Sequence, residues 1–126
     1  MKNQTTLEPS KTFEDLIVWQ KSRELASHVY KLTKNYPSEE RYNLVPQMRR
    51  AAVSASSNIA EGFSRHRAKD KEHFYVMAAG SLSELLNHLV ISSDLGYISV
   101  VGFDESRQMV TTAQRYLLAL LKAHRR

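Results

Sequence analysis

The sequence contains no cysteine, only 4 glycines, 3 prolines and 1 tryptophan in 126 residues. Without cysteine there is no disulfide, no thiolate metal site and no thiol nucleophile. Few glycines and prolines leave few places to turn, which favours a small number of long helices over many short strands. No uninterrupted apolar run approaches the roughly 18 residues that span a bilayer. Residues 1–12 are polar, carry Pro9 and lack the apolar core of a signal peptide, so they are expected to be a disordered leader. A cytoplasmic protein without a membrane partner is the expectation.

What is present is ordinary for a globular chain of this length: 42% hydrophobic and 25% charged residues. The net charge of +5 is distributed unevenly. Between Arg41 and Lys71 lie seven basic residues, Arg41, Arg49, Arg50, Arg65, Arg67, Lys69 and Lys71, against only Glu61 and Asp70. The remainder of the chain is neutral. An excess confined to one segment is either an anion-facing patch or a solvated helix face that keeps the protein soluble.

Apolar residues recur at helical spacing in four segments. The first stripe is Val18, Ser22, Leu25, Val29, Leu32 and Tyr36, widened by Trp19, Ala26 and Tyr30 and closed by Pro37, since the residue before proline disfavours the α conformation. The second, Met48, Ala52, Ala55, Ile59 and Gly62 or Phe63, follows Pro46 in a first turn. Its small residues from Ala51 to Ser57 imply close approach by a neighbour, within the bundle or between subunits. The third is Phe74 or Tyr75, Ala78, Leu82, Leu85 and Leu89, ending at Gly96 as a C′ glycine. The fourth, Phe103, Ser106, Val110, Ala113, Leu117 and Leu120, starts from Ser99 as N-cap. Helices are therefore predicted over about 14–36, 45–65, 69–95 and 100–123. The fold expected for residues 13–126 is all-α, an antiparallel up-down-up-down four-helix bundle.

Catalytic motifs are missing: no glycine-rich phosphate loop, no G-x-S-x-G, no H-E-x-x-H. Glu24/His28 and Glu84/His88 share an i, i+4 spacing, for which a surface ion pair is the default. Asp70-Lys71-Glu72-His73, at a helix start, is the nearest approach to the paired Glu-x-x-His motifs with which a bundle holds two metals, and it is unmatched elsewhere. No enzyme activity, metal or cofactor is expected. On the second helix Arg50, Ser54, Ser57, Asn58, Glu61 and Arg65 fall near one face. That face reads either as a polar network fixing helix or subunit register, with Asn58 and Glu61 in it, or as an arginine surface for phosphates. Glu61 has no second carboxylate or nucleophile that would make it an acid catalyst. Arg65-His66-Arg67-Ala68-Lys69-Asp70-Lys71 forms a basic corner suited to a phosphate backbone.

Several blocks resemble a known family. Phe13-Glu14-Asp15-Leu16-Ile17-Val18-Trp19-Gln20-Lys21 and Val29-Tyr30-Lys31-Leu32-Thr33 are similar to the opening of the small proteins encoded in intervening sequences of bacterial 23S ribosomal RNA genes. Gln47-Met48-Arg49-Arg50-Ala51-Ala52-Val53-Ser54 followed by Ser57-Asn58-Ile59-Ala60-Glu61-Gly62 is the strongest match. Ala79 to Leu85 and Asp94-Leu95-Gly96-Tyr97-Ile98 extend it. Ala55-Ser56 departs from a frequent Ile-Pro, and Ala68 from a frequent polar cap. The resemblance implies a four-helix bundle and a ring-shaped homo-oligomer, with a pentamer expected. It also points to accessory proteins of diversity-generating retroelements, and carries Arg49, Arg50, Asn58 and Glu61 as motif residues. The expected function is non-catalytic binding of nucleic acid, structured RNA ahead of DNA, through Arg49, Arg50, Arg65, Arg67, Lys69 and Lys71. The alternative is an adaptor for a protein partner such as a reverse transcriptase.

Overall fold

The computed structural model describes residues 9–125. Four helices follow one another: α1 (Ile17–Thr33), α2 (Leu44–Ser64), α3 (Ala68–Asp94) and α4 (Val100–His124). Short 3-10 turns precede α1 (Phe13–Asp15) and α2 (Ser38–Glu40). Among the described residues there is no strand. α1 packs on α2 and α4, and α3 packs on the same two, so consecutive antiparallel helices close a four-helix bundle.

Of the leader expected over residues 1–12, residues 1–8 lie outside the described residues. Its last two residues are tied down: the N–H groups of Lys11 and Thr12 donate to the Asp15 carboxylate at 2.9 and 3.2 Å. α1 ends at Thr33, three residues earlier than the stripe implies. Pro37 pulls Tyr36 out of helical geometry, and the Tyr36 N–H donates to the Thr33 carbonyl in a tighter turn. Tyr36 is nevertheless buried, so the stripe continues into the loop.

The predicted stripes form the core, except that Tyr30, expected in the band of the first helix, is exposed. Leu25, Met48, Ile59, Leu82, Leu85, Leu89 and Leu117 are fully buried, each stabilising the fold by roughly 1.5–3 kcal/mol. The small residues of α2 have a definite use, because α2 and α3 form the most extensive helix pair. Ala51, Ala52 and Ala55 are buried, and at Gly62 a Cβ would lie 2.6 Å from the Tyr75 ring. The other end of α3 closes as predicted. Gly96 has φ +76, while Tyr97 N–H donates to the Ser92 carbonyl and Gly96 N–H to that of Ser93, a Schellman arrangement. Ser99 Oγ then accepts from Gly102 N–H at 3.0 Å and starts α4.

α3 is long and apolar enough, by length and composition, to cross a membrane. Its apolar character has a structural explanation: one side is bundle core, and the exposed Glu84, Asn87 and Asp94 interrupt the rest. Val76, Met77, Val90 and Ile91 remain exposed on its outer side.

Candidate nucleic-acid interface

The basic corner is the turn Arg65–Arg67 and the first turn of α3. A helix C-terminus presents unpaired carbonyls and partial negative charge, which a cation satisfies. Lys71 does this for α2: its ammonium donates to the Phe63 carbonyl at 2.8 Å and the Gly62 carbonyl at 3.3 Å. It also lies 5.4 Å from the centre of the Phe63 ring. Burial pushes the Lys71 pKa down. Lys71 is thus occupied by the fold.

Arg65 is half committed. Its guanidinium stands 3.4 Å from the Glu61 carboxylate and 4.8 Å above the Phe74 ring. Arg67 is the N-cap residue of α3, and with His66 and Lys69 it is exposed. Glu61, Ser64, Arg65, His66, Arg67 and Asp70 line one shallow depression at this corner.

The fold adds residues that the basic window did not contain. α4 returns to this end of the bundle. The His124 Nε2–H donates to the Ala68 carbonyl at 2.7 Å, since a carbonyl can only accept. Arg125 grips the Glu72 carboxylate with two nitrogens, at 2.9 and 2.8 Å. Lys122 is exposed on the last turn. No local spacing joins positions more than fifty residues apart, so only their shared position at helix ends links them.

Arg49 and Arg50 sit elsewhere. Arg49 lies about 24 Å along α2 from Arg65, at ~1.5 Å per residue. Its Nε donates to Thr33 Oγ1 at 3.0 Å, a terminal nitrogen to the Tyr30 carbonyl at 3.4 Å, and its guanidinium lies 4.6 Å over the Tyr30 ring. It therefore closes the end of α1. Arg50 points outward and is exposed. Asn58 and Glu61 also separate. Asn58 Nδ2 donates to the Ser54 carbonyl and Oγ at 2.9 and 3.0 Å, and Ser54 Oγ meets Ser81 Oγ of α3 at 2.9 Å. Glu61 lies one turn further on and faces solvent, held by Arg65 and by Ser64 Oγ at 3.1 Å. The interhelical network thus runs through Asn58, Ser54 and Ser81.

Two polar pairs have the composition of catalytic dyads. Ser106 Oγ and His28 Nε2 are 2.8 Å apart, but Ser106 is fully buried and also donates to the Gly102 carbonyl at 2.8 Å. It joins α1 to α4. His88 Nε2 lies 3.1 Å from the Glu84 carboxylate on the same helix. Among the described residues no three histidine or acidic side chains gather as metal ligands.

Comparison with known proteins agrees with this architecture. No curated protein matches the chain. A crystal structure of a protein of unknown function from the S23 ribosomal protein family of Bacteroides thetaiotaomicron is similar. It is 21% identical, with a TM-score of 0.76 over 84% of this chain and 99% of that one, and so shares the fold. The family model described as 23S rRNA-intervening sequence protein matches residues 14–119. The chain belongs to the 23S rRNA-intervening sequence protein family.

Proposed function

We propose that this protein is a non-catalytic RNA-binding bundle acting as a cytoplasmic homo-oligomer. One observation carries the reading: Arg67, Lys69 and Lys122, with His66, are exposed at one end of the bundle, beside the half-exposed Arg65 and Arg125. Phosphates neutralise such cations with release of counterions, without sequence recognition. Oligomerisation repeats the patch and raises the local potential. The exposed apolar residues of α3, Val76, Met77, Val90 and Ile91, are the surface on which a ring would close, a pentamer being the stoichiometry put forward.

The test is fluorescence anisotropy with a labelled structured RNA across a salt series. Replacing Arg67, Lys69 and Lys122 with Ala is expected to weaken binding and to lower the slope of log affinity against log salt. The expected drop is about 0.7–0.9 for each phosphate left without its cation. Unchanged affinity and slope would reduce the corner to solubilising charge.

A second reading, an adaptor for a protein partner such as a reverse transcriptase, has its own observation. At the opposite end Tyr42, Val100 and Val101 are 84%, 76% and 75% exposed, and Leu95 is exposed beside them. Tight, salt-tolerant binding of a protein, abolished by Val100→Glu with Val101→Glu, would favour it over RNA.

A further inference from the structure

A charge count along the chain misses a second basic surface, because cations spread along α1 are balanced in number by acids elsewhere. A groove runs along α1 on the side of α2, lined by Trp19, Arg23, Tyr30, Lys31 and Lys34, with Ser56 across from them. No acidic side chain lines it. The groove on the other side of α1, toward α4, shares Trp19, Arg23 and Lys31 with it and adds Glu14 and Glu24, so the acidic groups lie on the α4 side only. Arg23, Lys31 and Lys34 are exposed, and none of them is in an ion pair among the described residues.

Two rings and one guanidinium line this groove, and a second guanidinium, outside the lining, packs on one of the rings. Arg23 lies 5.6 Å from the Trp19 ring centre, and Arg49 lies 4.6 Å from that of Tyr30. Positions 19, 23 and 30 of α1 and its C-cap residue Lys34 fall on one face, over a length of roughly 22 Å at 1.5 Å per residue. Phosphates recognise the lysines. Unstacked bases recognise aromatic faces and guanidinium planes. A duplex hides its base faces and would use only the charges. An acidic protein would leave the rings unused.

We infer that the α1–α2 groove is a track for single-stranded RNA, which extends the binding surface along the bundle away from the basic corner. This rests on the RNA-binding reading above. Phosphates lie against Arg23, Lys31 and Lys34, and bases stack at Trp19 and Tyr30.

Trp19 is the only tryptophan, so intrinsic fluorescence reports on this groove directly. A labelled oligouridine of about a dozen nucleotides is titrated into the full chain, reading anisotropy and tryptophan emission together. The expected result is saturable quenching that tracks the anisotropy. Replacing Arg23, Lys31 and Lys34 with Ala should weaken binding at least tenfold and lower the salt slope by about 2, from 0.7 per phosphate on a single strand. The charge-preserving variant Arg23→Lys, Lys31→Arg, Lys34→Arg should retain binding, and Tyr30→Leu should weaken it on the order of tenfold. Anisotropy changes with silent Trp19 emission and an unaffected triple Ala variant would overturn the track while leaving RNA binding at the corner. Equal quenching by polyglutamate, with competition, would overturn the assignment to nucleic acid. No anisotropy change with any RNA at low salt would remove the underlying reading as well.

Discussion

The Tyr97 hydroxyl donates to the Glu40 carboxylate at 2.7 Å, bridging the α3–α4 turn and the loop between α1 and α2. Tyr97 also packs on Tyr36, with ring centres 5.2 Å apart. The two connections at this end of the bundle are thereby joined to each other.

This bridge gives a pH dependence. The hydrogen bond to Glu40 pushes the Tyr97 pKa up to about 12, while burial raises those of Tyr36 and Tyr75. The folded state thus holds these protons more tightly than the unfolded chain, whose tyrosines titrate near 10. Their contribution is complete below pH 10 and disappears as pH rises toward 12. Tyr97→Phe should be less stable than the parent at pH 8 and should lose less on going from pH 10 to pH 11.5. Urea unfolding at these pH values measures both. Parallel pH profiles for parent and variant would contradict the bridge.

Gly62 tests the α2–α3 approach. Alanine in a helix interior is normally better than glycine by about 1 kcal/mol. Here its Cβ would meet the Tyr75 ring at 2.6 and 2.8 Å, and overpacking costs about 1–3 kcal/mol. Gly62→Ala should therefore lower stability in spite of the propensity gain. In a Tyr75→Leu background the added methyl should become neutral or stabilising. A double-mutant cycle with no coupling would show that the ring simply moves aside.

Lys71 and Lys69 look alike in the sequence and should behave oppositely. Lys71→Met removes the cation from the Phe63 and Gly62 carbonyls and should lower stability by about 1 kcal/mol. Its effect on the salt slope of RNA binding should be small. Lys69→Met should leave the melting curve unchanged and flatten that slope. The pair is compared by thermal unfolding and anisotropy on the same preparations.

The fold was largely legible because helical periodicity is a local property. Val18 to Val29, Met48 to Ile59, Ala78 to Leu89 and Val110 to Leu117 bury their stripes as the spacing implies. Gly96 and Ser99 end and begin helices through backbone requirements visible in residue type. The site was less legible. The run Arg65 to Lys71 shows charge but not which cation turns back onto the α2 carbonyls. The contribution of Lys122, His124 and Arg125 comes from helices meeting at one end. The α1 groove was hidden because a charge count along the chain mixes the opposite faces of one helix.

The adjacent motif arginines separate the same way, and give the last prediction. Neighbouring helix positions are rotated by about 100°, so Arg49 and Arg50 cannot face the same surroundings. Arg49 reaches Thr33 Oγ1, the Tyr30 carbonyl and the Tyr30 ring, and these hold the last turn of α1 where Pro37 has already shortened the helix. Thr33 is itself buried and donates to the Val29 carbonyl at 2.7 Å, so removing Arg49 leaves Oγ1 without its incoming donor. Arg49→Ala should destabilise the fold by roughly 1–2 kcal/mol. Amide exchange should speed up at residues 30–36 first. Arg50 is exposed on the outer side of α2. Arg50→Ala should leave unfolding unchanged, and any effect should emerge in subunit association or RNA affinity, read by light scattering and anisotropy. Equal falls in stability from the two substitutions would mean that the Arg49 hydrogen bonds do not support α1, and that the motif acts as one surface.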